Sequence, residues 1–290
     1  MTTAHDWVAG ARPRTLPAAI APVAVGSGAA DFADGFVWWR ALLCLIVALA
    51  LQIGVNYAND YSDGVRGTDT SRVGPMRLVG SGTATATSVR TAAVMSFAVA
   101  AAAGLVLAAV SSWWLLLVGA AAIAAAFFYT GGPRPYGYAG LGEVFVLVFF
   151  GFVAVCGTTY VQAGEITGVA WLGGLGVGLL ACAVLVVNNL RDIPTDSAAG
   201  KRTLAVRLGD RRTRMLYVVL VTVPFLVTTV MAVVALAALI AIAAFPLTFA
   251  PMRAVLSVAR GPALVPVLTG TGRVLLAYGL LLGLGLALSG

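Results

Sequence analysis

Asn56, Asp60 and Asp63 stand at i, i+4 and i+7 where a long apolar run gives way to polar residues. At that spacing a helix presents an amide and two carboxylates on one face. Asn59, Arg66 and Asp69 belong to the same stretch, and Arg72 and Arg77 follow it. A second stretch repeats the device after another apolar run, with Asn188, Asn189, Arg191, Asp192 and Asp196. Carboxylates at the end of an apolar helix are costly unless cations neutralise them. Paired at helical spacing, they can hold Mg²⁺ through one or two oxygens and leave its other ligands to water and substrate phosphates. Two such pairs facing each other would clamp one diphosphate. Asp60, Asp63, Asp69, Asp192 and Asp196, nearly half of the chain's 11 acidic residues, are therefore the expected metal ligands.

Arg66, Arg72, Arg77, Arg134, Arg191, Lys201 and Arg202 lie in the segments around these stretches, where they can neutralise phosphate charge. Asn56, Asn59, Asn188 and Asn189 add neutral oxygens as ligands or orienters. The plain alternative is that acids and arginines pair to order their loops; two matching stretches favour a shared site. Glycine-rich pieces at 74–82, 131–138 and 200–203 lack the spacing of a Walker loop and serve first as turns. Phe127, Phe128, Tyr129, Phe145, Phe149, Phe150 and Phe152 cluster near the motifs. A subset facing a cavity would stabilise a carbocation by about 0.5–2 kcal/mol each. His5 is the sole histidine, which argues against a histidine-based triad. Cys44, Cys156 and Cys182 lie inside apolar runs and form no metal spacing.

The elements that must position these groups are membrane helices. The 290 residues are 60% hydrophobic and 10% charged, with mean hydropathy +0.98, against about 25% charged in soluble domains. Apolar runs at about 16–30, 37–57, 88–110, 113–130, 142–162, 169–190, 215–232, 233–250 and 272–289 each approach the length of a membrane span. The expectation is one all-α integral membrane domain, residues 1–290, with nine transmembrane helices and a turn near Val233. Pro17 and Pro22 should shorten or kink the first helix. That first run follows Arg12 and Arg14 like a signal peptide, a reading set aside because the chain keeps crossing. With the N-terminus cytoplasmic, Arg40 is the one basic residue of 18 that falls outside, and both acidic stretches fall inside. The net charge of +7 is thus read as membrane orientation and anion binding, not nucleic acid.

Asn59-Asp60-x-x-Asp63 and Asp192-x-x-x-Asp196 resemble the paired motifs of the UbiA-type intramembrane prenyltransferases. That family's first motif carries a third aspartate where this chain has Gly67, with Asp69 two places on. This later aspartate resembles the branch acting on 1,4-dihydroxy-2-naphthoate. So do Arg12-Pro-x-Thr-Leu-Pro17, Tyr129-Thr-Gly-Gly-Pro133, Tyr136-Gly-Tyr138-x-Gly-Leu-Gly-Glu143 and Gly200-Lys-x-Thr-Leu-Ala-Val-Arg-Leu-Gly209. The resemblance implies helices around a central cavity with a cytoplasmic polar cap, in a bacterial cell membrane. It implies Mg²⁺, a polyprenyl diphosphate donor and 1,4-dihydroxy-2-naphthoate as acceptor, with demethylmenaquinol as product. Tyr138 and Glu143 become candidates for handling the acceptor's hydroxyl or proton. Pro194 is expected to break the helix between Asp192 and Asp196. The rival readings are a sister prenyltransferase with another acceptor, and an ion-coupled transporter, whose polar site would lie nearer the membrane midplane.

Overall fold

The computed structural model describes residues 2–67, 77–257 and 259–290, and every element it describes is helical. Asp69 and Arg72 lie outside the described residues. A short helix α1 (Ala4–Ala11) is capped by Thr3 and Asp6 in a reciprocal pair of hydrogen bonds. Then come α2 (Pro17–Asp31), α3 (Trp38–Arg66), α4 (Ala86–Val110) and α5 (Leu115–Phe128). The second half holds α6 (Gly142–Ala163), α7 (Gly168–Ala198), α8 (Leu204–Met231), α9 (Leu236–Leu256) and α10 (Gly261–Ala287).

Among the described residues seven helices, α3, α4 and α6 to α10, are long and apolar enough to span a membrane. Helices α2 and α5, of 15 and 14 residues, fall short of the roughly 20 expected of a full span. Pro17 opens α2 and Pro22 lies inside it, in keeping with the short first helix expected. The turn placed near Val233 falls between Met231 and Leu236. Helix α8 begins at Leu204, well before the expected 215, and absorbs the break at Gly209 (φ 74°, ψ 171°).

With lipid outside, helices associate mainly through close packing, which small residues permit. A Cβ on Gly28 of α2 would lie 2.1 Å from the carbonyl oxygen of Gly283 in α10. On Gly151 of α6 it would lie 2.6 Å from that of Gly174 in α7. These backbones touch, and Ala21, Val25, Val155, Val177, Leu275 and Tyr278 fill the core between the same helices.

Two local features bear on the site. Helix α7 runs unbroken through Pro194, which corrects the expected break. Asn188, Asp192 and Asp196 therefore stay one turn apart and line one cavity. Within α6, Leu147–Val153 is wound as a π-helix. Wider turns of this kind often occur at functional sites. Here Phe149 and Phe150, adjacent in sequence, both reach the cavity wall.

Candidate active site

The polar end of α3 is divided between two neighbours. Asn56 donates to the carbonyl of Ala11 and the hydroxyl of Thr15, each at 2.9 Å. Asn59 accepts from Thr130 at 2.8 Å. Asp63 accepts from the phenol of Tyr138, from Arg77 at 3.3 Å and from Lys201 at 3.5 Å. All three residues line the cavity.

Asp60 does not line it. Its fully buried carboxylate receives the backbone N–H of Leu78 at 2.8 Å and of Val79 at 3.0 Å. The single face expected for Asn56, Asp60 and Asp63 is thus split. Residues three and four apart on a helix differ by about 40–60° in direction, enough to meet different partners. Behind Asp60, Leu78 packs with Tyr57, Ala58, Val89 and Trp7. Tyr57 also donates to the carbonyl of Trp7 at 2.8 Å, so α1 braces the 77–80 turn against α3.

The second stretch closes the site from α7. Asp192 accepts from Arg191 at 2.7 and 2.6 Å, and the same guanidinium donates to Asn188 at 2.9 Å. Lys201 stands between the stretches, 3.5 Å from Asp63 and 3.9 Å from Asp196, with its Nζ 4.4 Å from the centre of the Tyr138 ring. Both acidic stretches therefore meet at one end of the bundle. The Tyr138 phenol is pushed up by burial and by the charge of Asp63, so it stays protonated and keeps donating at neutral pH.

Between these groups lies a cavity of about 470 Å³. Its polar residues include five cations, Arg12, Arg14, Arg77, Arg191 and Lys201, against the carboxylates Asp63, Asp192 and Asp196. That excess favours an anionic ligand. The remaining wall is mostly apolar and runs past Tyr136, Phe145 and Phe149, whose rings stack with centroids 3.9 and 6.1 Å apart, to Val23, Cys44, Leu107 and Val161. One buried donor, Arg191 Nη1, has no hydrogen-bond partner among the described residues.

Other expected site residues stand apart. Arg66 donates to the carbonyls of Thr130 and Gly132 and ties the end of α3 to the loop after α5. Glu143 is buried outside the cavity lining and accepts from Asn189 at 3.0 Å, so it acts on the wall through that amide. Arg134 and Arg202 are exposed and absent from the lining. Arg134→Ala and Arg202→Ala are each expected to leave the affinity for the anionic substrate within about threefold, checked by steady-state titration, because exposed charges contribute little. Sequence reasoning missed Arg12 and Arg14 as lining residues, although they flank Pro13 at the base of the first apolar run. It also missed Thr15 and Thr130, which stand inside quoted motifs without being singled out, and Gln52, a lone polar residue in an apolar run.

A family model described as the UbiA prenyltransferase family matches residues 19–263. Among curated proteins, a 1,4-dihydroxy-2-naphthoate octaprenyltransferase of Mycobacterium tuberculosis is 55% identical over 97% of this chain and 96% of its own length. One of the same name from Escherichia coli is 39% identical over 72% of this chain and 70% of its own. Among solved structures, a UbiA homolog from Archaeoglobus fulgidus bound to GPP and Mg²⁺ superposes with a TM-score of 0.69 at 17% identity, covering 95% of this chain and 99% of that one. An apo UbiA homolog from Aeropyrum pernix K1 gives 0.70 at 15% identity, over 92% and 96%.

Proposed function

The chain belongs to the UbiA prenyltransferase family, and from that premise we propose that it prenylates 1,4-dihydroxy-2-naphthoate with a polyprenyl diphosphate donor. The allylic C–O bond breaks and diphosphate leaves with the electron pair. The electron-rich ring forms a new C–C bond at the carbon bearing the carboxylate. That carboxylate departs as CO₂, its bonding pair returns to the ring, and a demethylmenaquinol results. The observation that carries this reading is the cavity: a cationic, carboxylate-bearing mouth on an apolar, aromatic-lined body. A diphosphate with an apolar tail has the same two parts.

The donor set suits Mg²⁺. Asp63, Asp192 and Asp196, with Asn56, Asn59 and Asn188, offer hard oxygens to one cavity from two helices. Among the described residues no three His, Cys, Asp or Glu side chains group closely enough to hold a metal by themselves. This suits an ion whose ligand set is completed by substrate phosphates. Bound there, Mg²⁺ would neutralise charge on the departing diphosphate. Asp63, Asp192 and Asp196 are the proposed ligands; Asp60 and Asp69 belong to the same motif.

The chain's own residues do the rest. Arg77, Arg191 and Lys201 now rest on carboxylates and can turn to phosphate oxygens, with Arg12 and Arg14 beside them. Tyr138 holds Asp63 in place. Phe145, Phe149, Phe150 and Tyr136 line the stretch below the mouth, where aromatic faces favour an allylic cation and exclude water. We place nine helices in the bilayer, with α2 and α5 as the shorter ones, in a bacterial cell membrane with the polar mouth cytoplasmic. The distribution of arginines supports that orientation.

The test is purified protein in detergent with 1,4-dihydroxy-2-naphthoate, geranyl diphosphate and MgCl₂, read by mass spectrometry. The expected product is prenylated and decarboxylated, and it disappears with EDTA. Prenylation of 4-hydroxybenzoate in preference would overturn the acceptor, and no diphosphate release at all would overturn the reaction. Arg191→Gln should raise the KM for the diphosphate at least about tenfold and leave the KM for naphthoate within about threefold, since Nη1 of Arg191 is a buried donor awaiting an acceptor.

A further inference from the structure

Gln52 sits in α3 one turn before Asn56, is only 6% exposed and lines the cavity. Its neighbours Leu51 and Val55, which share that wall, are apolar. The amide is oriented by Thr15. The Thr15 hydroxyl donates to the carbonyl of Arg12 at 2.9 Å, so toward Gln52 and Asn56 it can only accept. It accepts from Nε2 of Gln52 and from Nδ2 of Asn56, each at 2.9 Å. Gln52 Oε1 is thereby left as the acceptor, and among the described residues this buried oxygen has no hydrogen-bond partner. Buried acceptors are rarely left unpaired, and one held on a cavity wall points to a ligand that brings a donor.

The chemistry of the two substrates selects which ligand that is. Near neutral pH a prenyl diphosphate offers acceptor oxygens and an apolar tail, and essentially no donor. The hydroxyaromatic acceptor brings two O–H groups. Gln52 also stands about 16 Å from Asp63 along the helix, at about 1.5 Å per residue, one turn further from that carboxylate than Asn56. We infer that Gln52 Oε1 accepts a hydrogen bond from a ring hydroxyl of the aromatic substrate, making Gln52 a specificity-determining residue. The inference rests on the proposed function above. Such a bond orients the ring in the cavity, and by drawing on the O–H it enriches the ring for attack.

The experiment pairs Gln52→Met with methyl ethers of the naphthoate at each hydroxyl. Wild type should disfavour one ether at least about tenfold in kcat/KM, because a methylated oxygen cannot donate. Gln52→Met should raise the KM for naphthoate at least about tenfold, leave the KM for geranyl diphosphate within about threefold, and lose the discrimination between the parent and that ether. Gln52→Glu, which keeps an oxygen acceptor, should restore the naphthoate KM to within about threefold of wild type. If both KM values rise together, or the variant still discriminates as wild type does, the amide is structural and the inference fails. Should Gln52→Met not fold, the wild-type ether series and Gln52→Glu still decide: equal use of parent and both ethers overturns it. Absence of any product from wild type with naphthoate would instead overturn the functional reading.

Discussion

Asp63→Asn is expected to lower turnover at least about a hundredfold, equivalent to about 2.7 kcal/mol of barrier, while the protein stays folded. Asp63 is where the two halves meet: Tyr138, Arg77 and Lys201 all converge on its carboxylate. An asparagine keeps the shape and removes the charge. It would leave Lys201 paired with Asp196 and would weaken any divalent ion held between Asp63 and the α7 carboxylates. Asp192→Asn should act alike from the other side, since Asp192 lines the same cavity and also holds Arg191 in place. Turnover at saturating substrate, MgCl₂ titration and a thermal melt check this. The apparent Mg²⁺ affinity should fall and the melting temperature move little. Turnover within tenfold of wild type for both variants would sink the metal assignment.

Asp60→Asn should cost as much turnover, at least about a hundredfold, for a different reason. Both Asp60 oxygens hold backbone N–H groups, of Leu78 and Val79. An asparagine turns an NH₂ toward one of those donors, so one buried N–H loses its acceptor and the other loses a charge-assisted bond. Each such loss is worth about 1–3 kcal/mol. The turn from Arg77 to Gly80 would then loosen, and Arg77 would leave Asp63. Hydrogen exchange separates this from the metal variants. Leu78 and Val79 amides should exchange faster in Asp60→Asn and stay protected in Asp63→Asn. Unchanged exchange with lost activity would return Asp60 to the metal.

The two aspartates show how far the chain could be read before it folded. Their spacing and their place at the end of an apolar run identify both as parts of one device. Spacing alone cannot separate them, because residues 60 and 63 differ by about 60° around a helix and either can face a cavity. The turn at 78–79 decides it by arriving on Asp60's side. Arg66 and Arg134 show the same limit. Each lies in a motif-bearing segment, yet one ties a loop down and the other points to solvent. The break expected at Pro194 failed because a helix needs only one hydrogen bond fewer to pass a proline, and neighbouring helices can supply the difference.

The amino-acid order by itself determined the membrane class, the helical architecture, the two acidic stretches and the family they resemble. Those features are properties of composition and of local periodicity, which act along one chain without reference to its neighbours. Only the tertiary structure decided which polar groups share the cavity, that Asp60 serves a buried turn, that Lys201 bridges the two halves, and that Gln52 presents a lone acceptor. Each of these depends on residues far apart in sequence being brought within hydrogen-bond reach. That reach is set by how whole helices pack against one another.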